Sequence, residues 1–348
     1  MIRFGGRRES FIGVDLEGRA VRAAQLRPAG RGWSLGAALV MPRAAADTPL
    51  QRAEVEALRG ALLRQGFRGR RIVVAVPEDK LVTGVLELPP RSSGAPLDDI
   101  ARTELANMHG YDLQAAEAVS WDLPQSSRRG TTQAMGVACR HADAEAVLAA
   151  FDGSGLQVQA LDARLAAVAR ACGPVLSPDG ITAVLDLEWT GAMLLLVHQA
   201  TVFYKRTVSE GALKQLVKAL MEGLGVDEDA VFLLLAEVGL APRAAEHAAH
   251  AEAIAPAISK YLDSLVSALR TPLGYAVAQY PGAAVAGLLL VGHGAGIPGA
   301  AACLQERLEM DVRAVAPADL VQGPTSLAPK ARDPALVAAV GLAEFADE

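Results

Sequence analysis

Hydrophobic and polar positions first fall into a regular pattern at "FIGVDLEGRAVRAAQL", Phe11 to Leu26, after a short polar arm. The pattern predicts a strand, a tight glycine turn and a second strand, with Asp15 at the crest. "WSLGAALVMP" is a third extended run, ending at Pro42. In "LQRAEVEALRGALLRQG" the residues Val55, Leu58, Leu62 and Leu63 recur at helical spacing, and Gly66 lies where a helix stops. "RRIVVAVPEDKLVTGVLELP" then predicts a continuous apolar strand followed by an alternating one. The order so far is strand, strand, strand, helix, strand.

The character changes at Arg91. "RSSGAP" reads as a linker, and "LDDIARTELANMHG" as an amphipathic helix with carboxylates in its first turn, where the helix dipole favours them. "AEAVSWDLPQ" and "TTQAMGVACR" predict two strands joined by the polar turn "SSRRG". A helix follows at "ADAEAVLAAFDGSG", and "LQVQALDARLAAVARACG" begins extended and turns helical.

The second half repeats the first in outline. "ITAVLDLEWTGAMLLLVHQATVFYKR", Ile181 to Arg206, has the hairpin plan again, with Asp186 at its crest. "SEGALKQLVKALMEGLG" predicts an amphipathic helix with Ser209 as a candidate cap, and two further helices follow. "VAGLLLVGHGAGIPGAAACLQERLEMDVRAV" reads as strand, glycine loop, helix and strand, and "DPALVAAVGLAEFAD" as an apolar closing helix that packs back on a sheet.

These elements predict an α/β protein of two related lobes. The first-lobe core spans residues 1–90 and is completed by about 155–178 and the closing helix 333–348. Residues 91–154 form a small α+β insert, of a size consistent with a subdomain. Residues 179–332 form the second lobe, helical over about 209–281.

Composition narrows the function classes. Over 348 residues, 51% are hydrophobic, enough to fill cores in two domains of ordinary size. A net charge of -6 leaves no broad basic surface for nucleic acid, and "GRRES" and "RGRRI" read as solvated strand ends. The three cysteines, Cys139, Cys172 and Cys303, are far apart and have no metal spacing, as in a reduced cytoplasmic protein. The N-terminus lacks a signal peptide's apolar stretch. "PGAAVAGLLLVGHGAGIPGAAACLQ" exceeds the roughly 18 uncharged residues of a membrane span. Its central glycines, His293 and Pro298 would leave broken backbone in lipid, so a soluble strand–loop–helix is expected instead. His247 and His250 share a helical spacing without completing a zinc motif, and no hydrolase or P-loop signature is present.

The two hairpins with crest aspartates, the late "GHGAG" loop and the closing helix resemble the actin-like ATPase fold, and within it the PilM-like proteins of type IV pilus assembly, themselves similar to FtsA. The resemblance runs from about Phe11 to Phe345, most specifically through "IGVDLEGRAVRAAQL", "VAVPEDKLVTGVLELP", "LLLVGHGAGIPGAAACLQERLEMDV" and "DPALVAAVGLA". It implies a nucleotide site at Asp15, Gly18, Asp186, Thr190, Gly292, Gly294 and Gly296, with Asp15 and Asp186 facing magnesium if ATP binds. It also implies a groove between the first domain and its insert for the N-terminal cytoplasmic peptide of a PilN-like single-span membrane protein. Leu86, Leu88, Trp121 and Leu123 are the candidate lining.

The departures from the family pattern decide between functions. Glu17 and Glu188 each stand where the family turn has a glycine whose backbone approaches phosphate, and Trp189 adds bulk. A carboxylate so close to a polyphosphate repels it unless a cation intervenes. The expectation is therefore a non-enzymatic cytoplasmic scaffold, peripheral to the inner membrane through its partner, with a degenerate nucleotide site. Other platform proteins or motors are further partners, and self-association is open. The alternative is a slow magnesium-dependent ATPase in which Arg19 or Arg22 neutralises Glu17. A relative of the GspL cytoplasmic part is disfavoured, because no membrane span follows before Glu348. The bland reading of both aspartates is that they accept hydrogen bonds within their own turns.

Overall fold

The computed structural model describes residues 9–43, 48–124, 132–240, 248–280 and 282–346. Strands β1 (Ile12–Asp15), β2 (Ala20–Ala29) and β3 (Gly32–Pro42), helix α1 (Arg52–Arg64) and strand β4 (Arg71–Val76) follow one another in the expected order. With β8 (Gln157–Ala163) they make a five-stranded sheet, ordered β3-β2-β1-β4-β8. β1 runs antiparallel to β2 and parallel to β4. Strands β9 (Ile181–Leu187), β10 (Ala192–His198), β11 (Thr201–Val208), β12 (Val285–Val291) and β13 (Val312–Ala314) repeat this plan as β11-β10-β9-β12-β13. The hairpin turn of each lobe thus stands at the same end of the same topological position.

The insert differs from expectation at one boundary. Strand β5 (Leu81–Leu88), placed by sequence with the first-lobe core, pairs antiparallel with β7 (Thr132–Arg140), which also pairs with β6 (Ala116–Asp122). Alternation fixes which residues of β5 face a core; it says nothing of which strand supplies the hydrogen bonds. Helix α2 (Leu97–His109) covers one face of this small sheet, and Leu86, Leu88, Ala101 and Leu105 form its core. Helix α3 (His141–Phe151) leads back to the first sheet and sends Phe151 into its core. The expected "SSRRG" turn lies outside the described residues.

Two helices lie between the large sheets. Helix α4 (Arg164–Cys172) and the closing helix α11 (Val337–Ala343) pack so closely that a side chain at Gly341 would collide with the Ala167 carbonyl. One apolar cluster runs through them, from Ala24 and Leu26 on β2 to Val184, Met193, Leu195 and Val197 of the second sheet. Such continuity opposes free hinging, because parting the lobes would expose this surface to water. The second lobe is completed by α5 (Leu213–Leu224), α6 (Glu228–Glu237), the 32-residue α7 (Ala248–Gln279) and α8 (Ala300–Leu308), and two short helices, α9 (Pro317–Leu320) and α10 (Ala328–Ala331), lead to α11. Ser209 does not cap α5: a short turn intervenes, and Ala212 takes the cap position. No helix among the described residues is long and apolar enough to cross a membrane. Cys172 and Cys303 are buried, the Cys303 thiol donating to the Leu240 carbonyl, and Cys139 is half-buried.

Candidate functional site

Both crest aspartates project into the seam between the lobes, and both are buried. In the first hairpin Asp15 lies directly across from Arg22 in the β1–β2 register. Strand alternation turns Arg22 to the same side as Ala24 and Leu26, toward the second lobe. The corresponding position in the second hairpin, opposite Asp186, is Met193. A second cation comes from α4. Its first residue, Arg164, shares the buried face with Ala167, Val168 and Ala171, so its guanidinium is carried into the same space.

The result is a closed ion network. Arg22 Nη1 donates to Glu188 Oε1 at 3.0 Å and to Asp15 Oδ2 at 3.3 Å, while its Nη2 donates to Glu188 Oε2 at 2.9 Å. Arg164 donates from Nε to Asp186 Oδ2 at 2.7 Å, and from Nη2 to Asp186 Oδ1 at 3.2 Å and Glu188 Oε1 at 3.0 Å. Its Nη1 also pairs with Asp15 Oδ2. The backbone N–H of His293 donates to Glu188 Oε1 at 3.2 Å. All five charged side chains are 5% exposed or less. Removing each ion from water costs roughly several kcal/mol, which only forked, well-directed geometry can offset.

Electrostatics follow the arrangement. Burial works against ionised Asp15, but Arg164 and Arg22 outweigh it and hold its carboxyl below the usual range. Asp186 moves the other way: burial, with the charges of Glu188 and Asp15 added, raises it despite Arg164. Arg164 is raised well above its ordinary value, because Asp15, Asp186 and Glu188 together overcome the cost of burying the cation. Glu17 stands outside the network. It accepts from Thr190 Oγ1 at 2.9 Å, and burial together with Glu188 and Asp15 pushes its carboxyl up to about 7, against the pull of Arg164.

The turns themselves pack against each other. Gly18 has φ 65°, and a Cβ there would lie 3.0 Å from Trp189 Cβ. Gly292, at φ 83° and ψ -176°, adopts a conformation that only glycine takes easily; a methyl there would strike Asp186 Oδ1 and lie 2.9 Å from Glu188 Oε1. Gly294 crowds Leu187, whereas Gly296 has more room, with Pro334 Cδ at 3.8 Å. At the mouth, Arg19 pairs with Glu228 at 2.7 Å and lies over the rings of Trp189 (5.0 Å) and Phe232 (4.8 Å). The Phe232 ring is in turn 6.1 Å from that of His293.

The structure brings Asp15, Gly18, Asp186, Thr190, Gly292 and Gly294 to one seam. It corrects the expected partner of the basic residues, because Arg22 binds Glu188 and Asp15, and Arg19 binds Glu228; neither is hydrogen-bonded or ion-paired to Glu17. Arg164 was missed from sequence. The available signal was a charged residue on an otherwise apolar helical stripe, in "ARLAAVARAC".

The four groove candidates do not share a groove. Leu86 and Leu88 are buried in the insert core, Trp121 Nε1 donates to the Val202 carbonyl of the second lobe at 2.9 Å, and Leu123 packs on the second-lobe core. Strand alternation predicted their apolar faces; tertiary contacts assign those faces to different neighbours. A cavity of about 440 Å³ does open between the first lobe and α3, lined by Leu16, Leu50, Pro77, Ala146, Val147 and Ala150 among others. Glu17 and Thr190 reach its inner end. His247 lies outside the described residues.

Comparison with known proteins places this geometry in context. The profile of a family described as type IV pilus assembly protein PilM matches residues 13–344. No curated protein matches. Among solved structures, a PilM–PilN type IV pilus biogenesis complex superposes with a TM-score of 0.80 at 21% identity, covering 96% of this chain and 98% of that one. The ethanolamine utilization protein EutJ from Carboxydothermus hydrogenoformans superposes with a TM-score of 0.56 at 14% identity, covering 97% and 90%. At these identities the likeness establishes the actin-like fold.

Proposed function

Because the chain belongs to the family of the type IV pilus assembly protein PilM, we propose that it is a scaffold of a type IV pilus or related pseudopilus platform, working without a nucleotide. One observation carries this reading: Arg164 binds both crest aspartates, the residues that a magnesium–nucleotide would need. The residues present do not fit that group. Glu188 crowds Gly292, and the cavity of about 230 Å³ that remains beside Asp186 is lined, among the described residues, by Glu17, Glu78, Asp79 and Glu188 against the single cation Arg164, a lining that repels a polyphosphate. No catalytic step is assigned to the seam.

The partner in this proposal is the N-terminal cytoplasmic peptide of a PilN-like single-span inner-membrane protein. It would hold the chain at the cytoplasmic face of the membrane. Support comes from the structural likeness to a PilM–PilN complex and from the cavity between the first lobe and α3. An extended peptide can place alternate side chains on Leu50, Pro77, Val147 and Ala150 while the flanking polar groups meet its backbone. The test is fluorescence anisotropy with the labelled N-terminal peptide of the PilN-like protein from the same source. Saturable binding is expected, weakened at least about tenfold by Val147→Trp, whose bulk fills the cavity without adding a charge. Absence of binding, or binding indifferent to that substitution, would remove the groove from the account.

A further inference from the structure

Every strong hydrogen bond of the Glu188 side chain to a charged group comes from outside its own lobe core: two from Arg22 on β2 and one from Arg164 on α4. Arg164 adds two more to Asp186 while holding Asp15, so α4 is tied to the crest of both hairpins. Outside this centre, Thr190 donates to Glu17 across the seam, Arg19 pairs with Glu228, and Lys205 on β11 pairs with Glu78 beyond β4. These contacts surround the central network, so it is bridged on several sides.

We propose that Arg22 and Arg164 are a built-in cationic clasp: with Asp15, Asp186 and Glu188 they join the two hairpins from within the chain and hold the lobes in one closed arrangement without a bound ligand. The inference rests on the nucleotide-free reading above and goes beyond it, since a site can lose its nucleotide and still hinge. The physical basis is twofold. Forked guanidinium–carboxylate pairs are directional and fix orientation as well as distance. Opening the seam would break these forked pairs and would also part the shared apolar cluster around α4 and α11.

The clasp has a chemical signature that ordinary packing lacks. Glu188→Ala removes the shared carboxylate and leaves two guanidiniums facing a carboxylate-sized space. Its melting temperature should fall by roughly 5–10 °C. Added formate or acetate at 100 mM should restore about half of that loss while moving the native chain by less than about 1 °C, because only the variant offers a site that the folded state alone provides. Chloride at equal ionic strength should not substitute.

The arrangement itself is measured by spin-label distances between Leu63→Cys on α1 and Lys218→Cys on α5, both exposed, in a Cys139→Ser background. The native pair should give one narrow distribution, unchanged by 5 mM magnesium-ATP, on the order of concentrations that saturate ordinary nucleotide sites. The distribution should widen in Glu188→Ala and narrow again with formate. Should Glu188→Ala fail to fold, the isosteric Glu188→Gln carries the distance comparison, and Arg22→Lys, which keeps the charge but loses the fork, carries it independently. A broad or two-peaked native distribution, or variants as narrow as the native chain, overturns the clasp and leaves the scaffold reading intact. A native distribution that shifts on adding ATP overturns both.

Discussion

The two hairpin turns carry the same tripeptide, Asp-Leu-Glu, at 15–17 and 186–188, and the fold gives their four carboxylates opposite fates. In the first turn the aspartate is gripped by two arginines and its carboxyl lies low, while Glu17 is left with a threonine hydroxyl and is pushed up to about 7. In the second turn the aspartate has one arginine and lies high, while Glu188 is held by both. The difference traces to one register position. Arg22 faces Asp15 across the first hairpin, and Met193 faces Asp186 across the second. A repeated motif is therefore not a repeated site: the side chain directly across the hairpin decides which carboxylate is structural and which is spare.

The largest effect should come from removing the cation that both turns share. Arg164→Met leaves Asp15 and Asp186 buried without it, and urea denaturation should register a loss of about 5 kcal/mol or no folded protein at all. Arg22→Met makes the first hairpin a copy of the second. A loss of about 3 kcal/mol is expected, and the Asp15 carboxyl resonance, followed by NMR titration, should move up toward that of Asp186. Loss without that movement would mean that Arg22 acts by packing alone.

Gly292→Ala tests the close approach of the late loop to the second turn. Strained backbone and collision with Asp186 should cost about 2–3 kcal/mol in the same denaturation experiment. Glu17→Gln has the smallest effect and the most specific one. Glu17 has a folded value of about 7 against an ordinary 4.5, so the folded state holds the extra proton between these limits. Its contribution is complete below about pH 4.5 and is lost as pH rises through about 7. The glutamine variant should lose that share of the decline; an unchanged profile of stability against pH would place the titration elsewhere, for example at Glu344, which burial also pushes up to about 7.

Much of the fold was legible in the sequence because its signals are local. Alternation, helical spacing and glycine punctuation fixed the order from β1 to β4, the strand-to-helix change at β8 and α4, and the repeat in the second half. The crest aspartates and the two glutamates were legible for the same reason, as departures within short turns. What escaped was everything that depends on partners distant in the chain. Arg164 reaches Glu188 only once α4 is set between the sheets, and β5 finds its hydrogen-bonding partner in β7, more than 40 residues further along the chain. For Trp121 an alternating strand left core filling and groove lining both open, and its hydrogen bond to the Val202 carbonyl depends on a residue 81 positions away. Periodicity names a buried face and leaves its neighbour open, which is where sequence reasoning about this site ran out.

The central claim is that the chain's own arginines occupy the chemistry a nucleotide would use. Calorimetric titration of the native, full-length protein with magnesium-ATP tests it most directly. The account predicts no binding heat up to millimolar nucleotide. Stoichiometric binding in the micromolar range, abolished by Asp15→Asn or Asp186→Asn, would contradict it and return both aspartates to a phosphate site.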